Sequence, residues 1–111
     1  MNHYATKKSI SDAVDGGGLL VVAQWEAKQG EAEKVAAILD RFLPEAQREE
    51  GAMMFLISRA RDNPAQFLFY ELFRDEAAFK AHQEAAHFKN YIASQALPLL
   101  KKRERTQYAL I

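Results

Sequence analysis

Three runs of strand length are apolar on both alternating faces: LLVVAQWEA at 19–27, AMMFLISRA at 52–60 and QFLFYELF at 66–73. Successive side chains of an extended chain point to opposite sides, so a strand with one solvated face should alternate polar with apolar residues. These runs do not, and each needs cover on two sides. After Gly30 a helix is expected, with Ala32, Val35, Ala36, Leu39, Phe42, Leu43 and Ala46 on one stripe by the three-four spacing. Pro44 inside that stripe predicts a kink or early weakening, and Gly51 after Glu49-Glu50 reads as a left-handed cap. Asp62-Asn63-Pro64 marks a turn before the third run. Asp75 caps a helix through Glu84, and a further helical piece runs from His87 to about Leu97, stopped by Pro98. A last strand is expected at Thr106–Ile111.

The order is β-α-β-β-α-β, an α+β, ferredoxin-like arrangement. Its helices cover one face of the sheet, and no element remains to cover the other. The economical solution is a second copy, sheet against sheet, in a two-fold homodimer. Residues 1–18 are polar and end in Gly16-Gly17-Gly18, so they read as an N-terminal tail with a flexible joint, docked on its own domain or a neighbouring subunit. Residues 19–111 form the folded domain, and a length of 111 residues fits one domain.

Fifteen basic residues balance fifteen acidic ones, which leaves no excess of positive charge for counterion release, so nucleic acid is not an expected partner. The short cluster Lys101-Lys102-Arg103-Glu104-Arg105 reads as a solvated approach to the last strand. With no cysteine, disulfides, thiol catalysis and thiolate metal sites are excluded, as a reducing compartment would allow. No stretch has the apolar length of a membrane helix, and the opening residues lack the apolar run of a signal peptide, so a cytoplasmic location away from membranes is expected. GxSxG, GxxxxGK[ST] and GxGxxG are all missing, and the triple glycine precedes a strand rather than opening a helix.

What remains is an aromatic-lined cleft with a few titratable groups. Glu71 stands out as an acid in FLFYELF, sharing a face with Phe69 and Phe73. In an apolar pocket its pKa would rise toward neutrality and make it a usable acid or base; the alternative is structural pairing with a His or Arg, or a position near the sheet rim. His82 follows Phe79 by three residues on the inner stripe of its helix. His87 lies five further on, a rotation of about 500° on a continuous helix, so the two imidazoles should diverge and no metal site is expected. A lone histidine beside apolar residues is more often a hydrogen-bonded core or capping residue than a chemical group.

VVAQWEAKQGEAEKVAAIL, the EEG after the first helix and FYELFRDEAAFKAHQEAAHFKNY together resemble the antibiotic biosynthesis monooxygenase (ABM) family over residues 19–111. The acid of YELF and the two histidines of AHQEAAHF carry the most specific part, here Glu71, His82 and His87. The resemblance implies a dimeric α+β barrel with a pocket between sheet and helices, similar to small bacterial members acting on quinols or degrading phosphorylated autoinducer-2. Some members oxygenate polycyclic phenols or hydroquinones with O2 and no cofactor, because an electron-rich phenolate can itself pass an electron to oxygen.

The haem-degrading branch uses an Asn, a Trp and a His where this chain has about Ala23 or Gln24, then Phe73 and Ile92, so haem is not expected. A Ser or Thr that often precedes the second histidine is replaced by Ala85-Ala86.

The expected function is a cofactor-independent monooxygenase acting on a quinol-like or polyphenolic substrate. His82 and Glu71 form the expected acid–base pair, with Gln24, Tyr70, Phe73, His87 and Tyr91 as substrate contacts or pocket walls. Two other readings stay open: an isomerase or degradative enzyme on a small carbonyl metabolite, and a non-catalytic dimeric ligand-binding module.

Overall fold

The computed structural model describes residues 10–111. Its elements run α1 (Ile10–Asp15), β1 (Leu19–Ala27), α2 (Ala32–Gln47), β2 (Ala52–Arg59), β3 (Gln66–Phe73), α3 (Glu76–Glu84), a helix of π type labelled α4 (Phe88–Ala96), a 3-10 turn at Leu97–Leu99, and β4 (Leu100–Ala109). The four strands form one antiparallel sheet in the order β2-β3-β1-β4. From β1 onward this is the β-α-β-β-α-β, ferredoxin-like α+β fold.

Buried Val35, Ile38, Leu39, Phe42 and Ala46 hold α2 to the sheet. Pro44 stays inside that helix, which continues to Gln47. Asp75 caps α3 by accepting a hydrogen bond from the Ala78 amide at 2.8 Å, and Ala78, Phe79 and His82 form its buried stripe. The expected role of Gly51 needs correcting. Positive φ angles occur among the described residues only at Gly17 and Gly30. Gly51 is needed for close approach instead, since a Cβ there would sit 2.3 Å from the Cβ of Ala78 and push α3 away.

The last strand is longer than expected and starts earlier, at Leu100. Lys101–Arg105 is therefore not an approach to the strand but most of its first half. It pairs with β1 as Trp25↔Arg103 and Ala23↔Arg105. An edge strand tolerates such charge because one rim and much of its surface meet water.

Burial along the strands does alternate. Val21, Ala23, Trp25, Phe55, Phe67, Phe69 and Phe73 face the helices. On the opposite face α1 covers one corner, where Ala13 packs with Met53 and Leu72. The expectation that no element remained for that face is corrected to this extent; residues 1–9 of the expected tail lie outside the described residues. Beyond that corner Leu56, Leu68, Tyr70 and Tyr108 stay exposed. No helix among the described residues is long and apolar enough to cross a membrane.

Candidate active site

Glu71 lies on β3, and the two-residue period turns it to the inner face with Phe69 and Phe73. His82 reaches the same place from the buried stripe of α3, its Nε2 3.9 Å from Glu71 Oε1. That is close for charge but too far for a hydrogen bond. The other ring nitrogen, Nδ1, is 2.7 Å from Oε2 of Glu49 in the turn joining α2 to β2. His87 Nε2 contacts the same oxygen at 2.5 Å. One carboxylate oxygen thus accepts N–H from two imidazoles.

The histidines converge because the helix between them ends. Ala85 is extended, with φ −66° and ψ 146°, and α4 starts afresh after His87. The rotation of a continuous helix does not apply, which corrects the expectation that the two rings diverge. Ligand atoms of Glu49, His82 and His87 all lie within 4.8 Å of one another, so these three residues could hold a metal ion.

Around His82 the walls are aromatic. Its ring centroid is 5.3 Å from each of Phe55, Phe73 and Phe88 and 6.0 Å from Phe42. Only 2 % of the residue is exposed. With Glu49 accepting from Nδ1–H, a neutral His82 ring would turn its Nε2 lone pair toward Glu71. Glu71 itself has its pKa raised to about 8 by burial; Arg105 and Arg103 oppose that rise and Glu49 adds to it. At neutral pH it is largely a neutral acid, able to donate a hydrogen bond.

His82 and Glu71 border a narrow cavity lined also by Trp25, Phe42, Phe69, Phe79, Phe88 and Ile92, with Arg103 and Arg105 at one side. Trp25 and Phe69 pack there with ring centroids 4.4 Å apart. The free volume is about 20 Å³, room for a water or a diatomic molecule but not for a ring. Arg105 extends over the Phe79 ring, its guanidinium carbon 5.5 Å from the centroid.

The structure thus brings Glu71, His82, His87 and Phe73 together, Phe73 as a fully buried wall against the His82 ring. Tyr91 is half-buried against the core at the side of α4. Gln24 and Tyr70 stand on the opposite face of the sheet, exposed; Gln24 lines a separate open hollow of about 370 Å³ beside Ser58, Arg59 and Lys102.

Sequence reasoning missed Glu49, Arg103 and Arg105. Nothing local marks Glu49, whose partners are 33 and 38 residues away. The arginines had a usable signal, because a two-residue period across RERTQ puts Arg103, Arg105 and Gln107 on one face.

The family model described as antibiotic biosynthesis monooxygenase matches residues 18–94. No curated protein matches the chain. Among solved structures, PA3566 from Pseudomonas aeruginosa is 24% identical with a TM-score of 0.80, the match covering 86% of this chain and 95% of that one. Protein SO0527 from Shewanella oneidensis is 26% identical with a TM-score of 0.78, covering 85% and 91% of the two chains. A provisionally named antibiotic biosynthesis monooxygenase from Nitrosomonas europaea is 22% identical with a TM-score of 0.78, covering 85% and 90%.

Proposed function

The chain belongs to the antibiotic biosynthesis monooxygenase family, and we propose that it is a cytoplasmic, homodimeric, cofactor-independent monooxygenase acting on a quinol-like or polyphenolic substrate. One observation carries this reading. A buried imidazole, fixed from behind by Glu49, points its free nitrogen across an aromatic cavity at a carboxyl group that burial keeps protonated.

That arrangement suits proton removal from an acidic phenol or ring carbon. His82 Nε2 takes the proton as general base, and Glu49 steadies the imidazolium that results. The neutral Glu71 donates a hydrogen bond to the developing oxyanion, and Arg103 and Arg105 add positive potential from the side. The anion then passes one electron to O2, the radical pair collapses to a hydroperoxide at carbon, and loss of water leaves a carbonyl. For a ring methylene, one oxygen atom stays on carbon as the carbonyl and the other leaves as water with both hydrogens, which balances with no added reductant. The cavity as it stands has room for O2 but not for a ring, and substrate entry would follow from Arg103 and Arg105 swinging outward from β4, where they are exposed.

Exposed Leu56, Leu68, Tyr70 and Tyr108 on the outer face of the sheet support pairing of two copies there.

The test is O2 uptake by chelator-treated protein with a panel of anthrones and hydroquinones, with isotopically labelled O2 to follow the oxygen atom. Uptake with one labelled oxygen in the product and loss in His82→Ala is expected. No uptake with any member of the panel, or uptake that His82→Ala leaves unchanged, would contradict the proposal.

A further inference from the structure

The convergence of Glu49, His82 and His87 exceeds what orienting one base requires, since a single carboxylate and a single histidine would do that. We propose that these three residues form a binding site for a divalent transition cation of the zinc kind. They come from separate elements: the α2–β2 turn, the buried stripe of α3 and the residue preceding α4. Two neutral imidazoles and one carboxylate are the ligand set of open zinc sites, in which a fourth position is left to water. Nitrogen-rich sites favour zinc-like cations, whereas magnesium and calcium favour oxygen.

The geometry requires little change. Ligand atoms about 2.0–2.1 Å from a tetrahedral ion lie about 3.3 Å apart. The two present contacts to Glu49 Oε2 are 2.7 and 2.5 Å and all three ligand atoms lie within 4.8 Å of one another, so seating the ion needs the Glu49 contacts to open by less than about 1 Å and the two imidazole nitrogens to settle about 3.3 Å apart. A second carboxyl group already stands behind one ligand, because the far nitrogen of His82 faces Glu71 at 3.9 Å. Drawn in to hydrogen-bond distance, such an outer partner would fix the tautomer of a ligating histidine. A route from solvent exists past the side chains of His87 and Glu49, which are 21% and 15% exposed.

Protons balance without release. His82 moves its proton from Nδ1 to Nε2, His87 moves its own from Nε2 to Nδ1, and Glu49 supplies one negative charge. The Nε2 of a loaded His82 then carries a proton and has no lone pair for the cavity. Cation loading therefore opposes the base role; this consequence rests on the proposed function, whereas binding does not.

The test titrates Co2+ into the chelator-stripped full chain and follows visible d–d absorption without substrate. One Co2+ per chain is expected, with an absorption that Zn2+ bleaches and Mg2+ leaves unchanged. His87→Ala at the cluster's exposed rim, and the near-isosteric Glu49→Gln, should each weaken binding at least tenfold while circular dichroism shows the fold retained. Absence of the absorption, or an equal affinity in either folded variant, would overturn the site.

Discussion

Oε2 of Glu49 lies 2.7 Å from Nδ1 of His82, a hydrogen bond that joins the turn after α2 to the last turn of α3 across 33 residues. It fixes which nitrogen of a buried imidazole faces the cavity. Glu49→Gln keeps the shape but removes the charge that, in the proposed mechanism, would steady an imidazolium. A fall of about 10²-fold in kcat for the oxygenation is expected, with KM little changed, read from initial rates. A loss confined to KM would mean that Glu49 serves substrate binding instead.

Glu71 makes folding stability depend on pH. Its pKa rises from 4.5 to about 8 on folding, so between those values the native state holds a proton that the unfolded chain has released. Its contribution is fully present below about pH 4.5 and is lost as pH rises toward 8. Urea unfolding at pH 5 and pH 8 should show wild type losing stability relative to Glu71→Gln, which cannot ionise. A constant difference between the two proteins would place Glu71 in a more solvated setting.

Gly51 allows α3 to approach β2. Gly51→Ala would bring a methyl group 2.3 Å from the Ala78 Cβ, a clash with no flexible side chain to absorb it. We expect a loss of about 1–3 kcal/mol in urea denaturation and, because Ala78 and His82 share one helix stripe, reduced activity as well. Unchanged stability would show that α3 can slide freely over the turn.

The ranges of β1 and β3 were legible to the residue, since each is an apolar run bounded by Gly18 or Pro64. His82 was legible as a buried position from its spacing to Phe79. Other features were not. Glu49 meets its partners only once the chain has turned back on itself. The histidine pair was misjudged because Ala85 breaks the helix, and local composition does not announce that break. The start of β4 was hidden by charge, which edge strands accept more readily than central ones. Gln24 and Tyr70 could have been assigned correctly: each is one residue out of step with Trp25 or Glu71 and therefore takes the other face.

The outer face provides a further prediction. Leu56 is 51% exposed and Leu68 neighbours Tyr70 on the same sheet surface. A carboxylate at Leu68 should split the pair of subunits and leave the fold intact. Sedimentation of wild type as a dimer and of Leu68→Glu as a folded monomer is the expected result. A monomeric wild type would contradict sheet-to-sheet assembly.

The proposed chemistry requires an unprotonated His82 Nε2 facing the aromatic cavity. The most direct measurement is the nitrogen NMR spectrum of the side chains in chelator-treated, imidazole-labelled protein, assigned with His82→Ala. The predicted result is a His82 proton resident on Nδ1, with Nε2 showing the shift of a free lone pair, and a signal that Glu49→Gln disturbs. A proton found on Nε2 in the wild-type protein would contradict it.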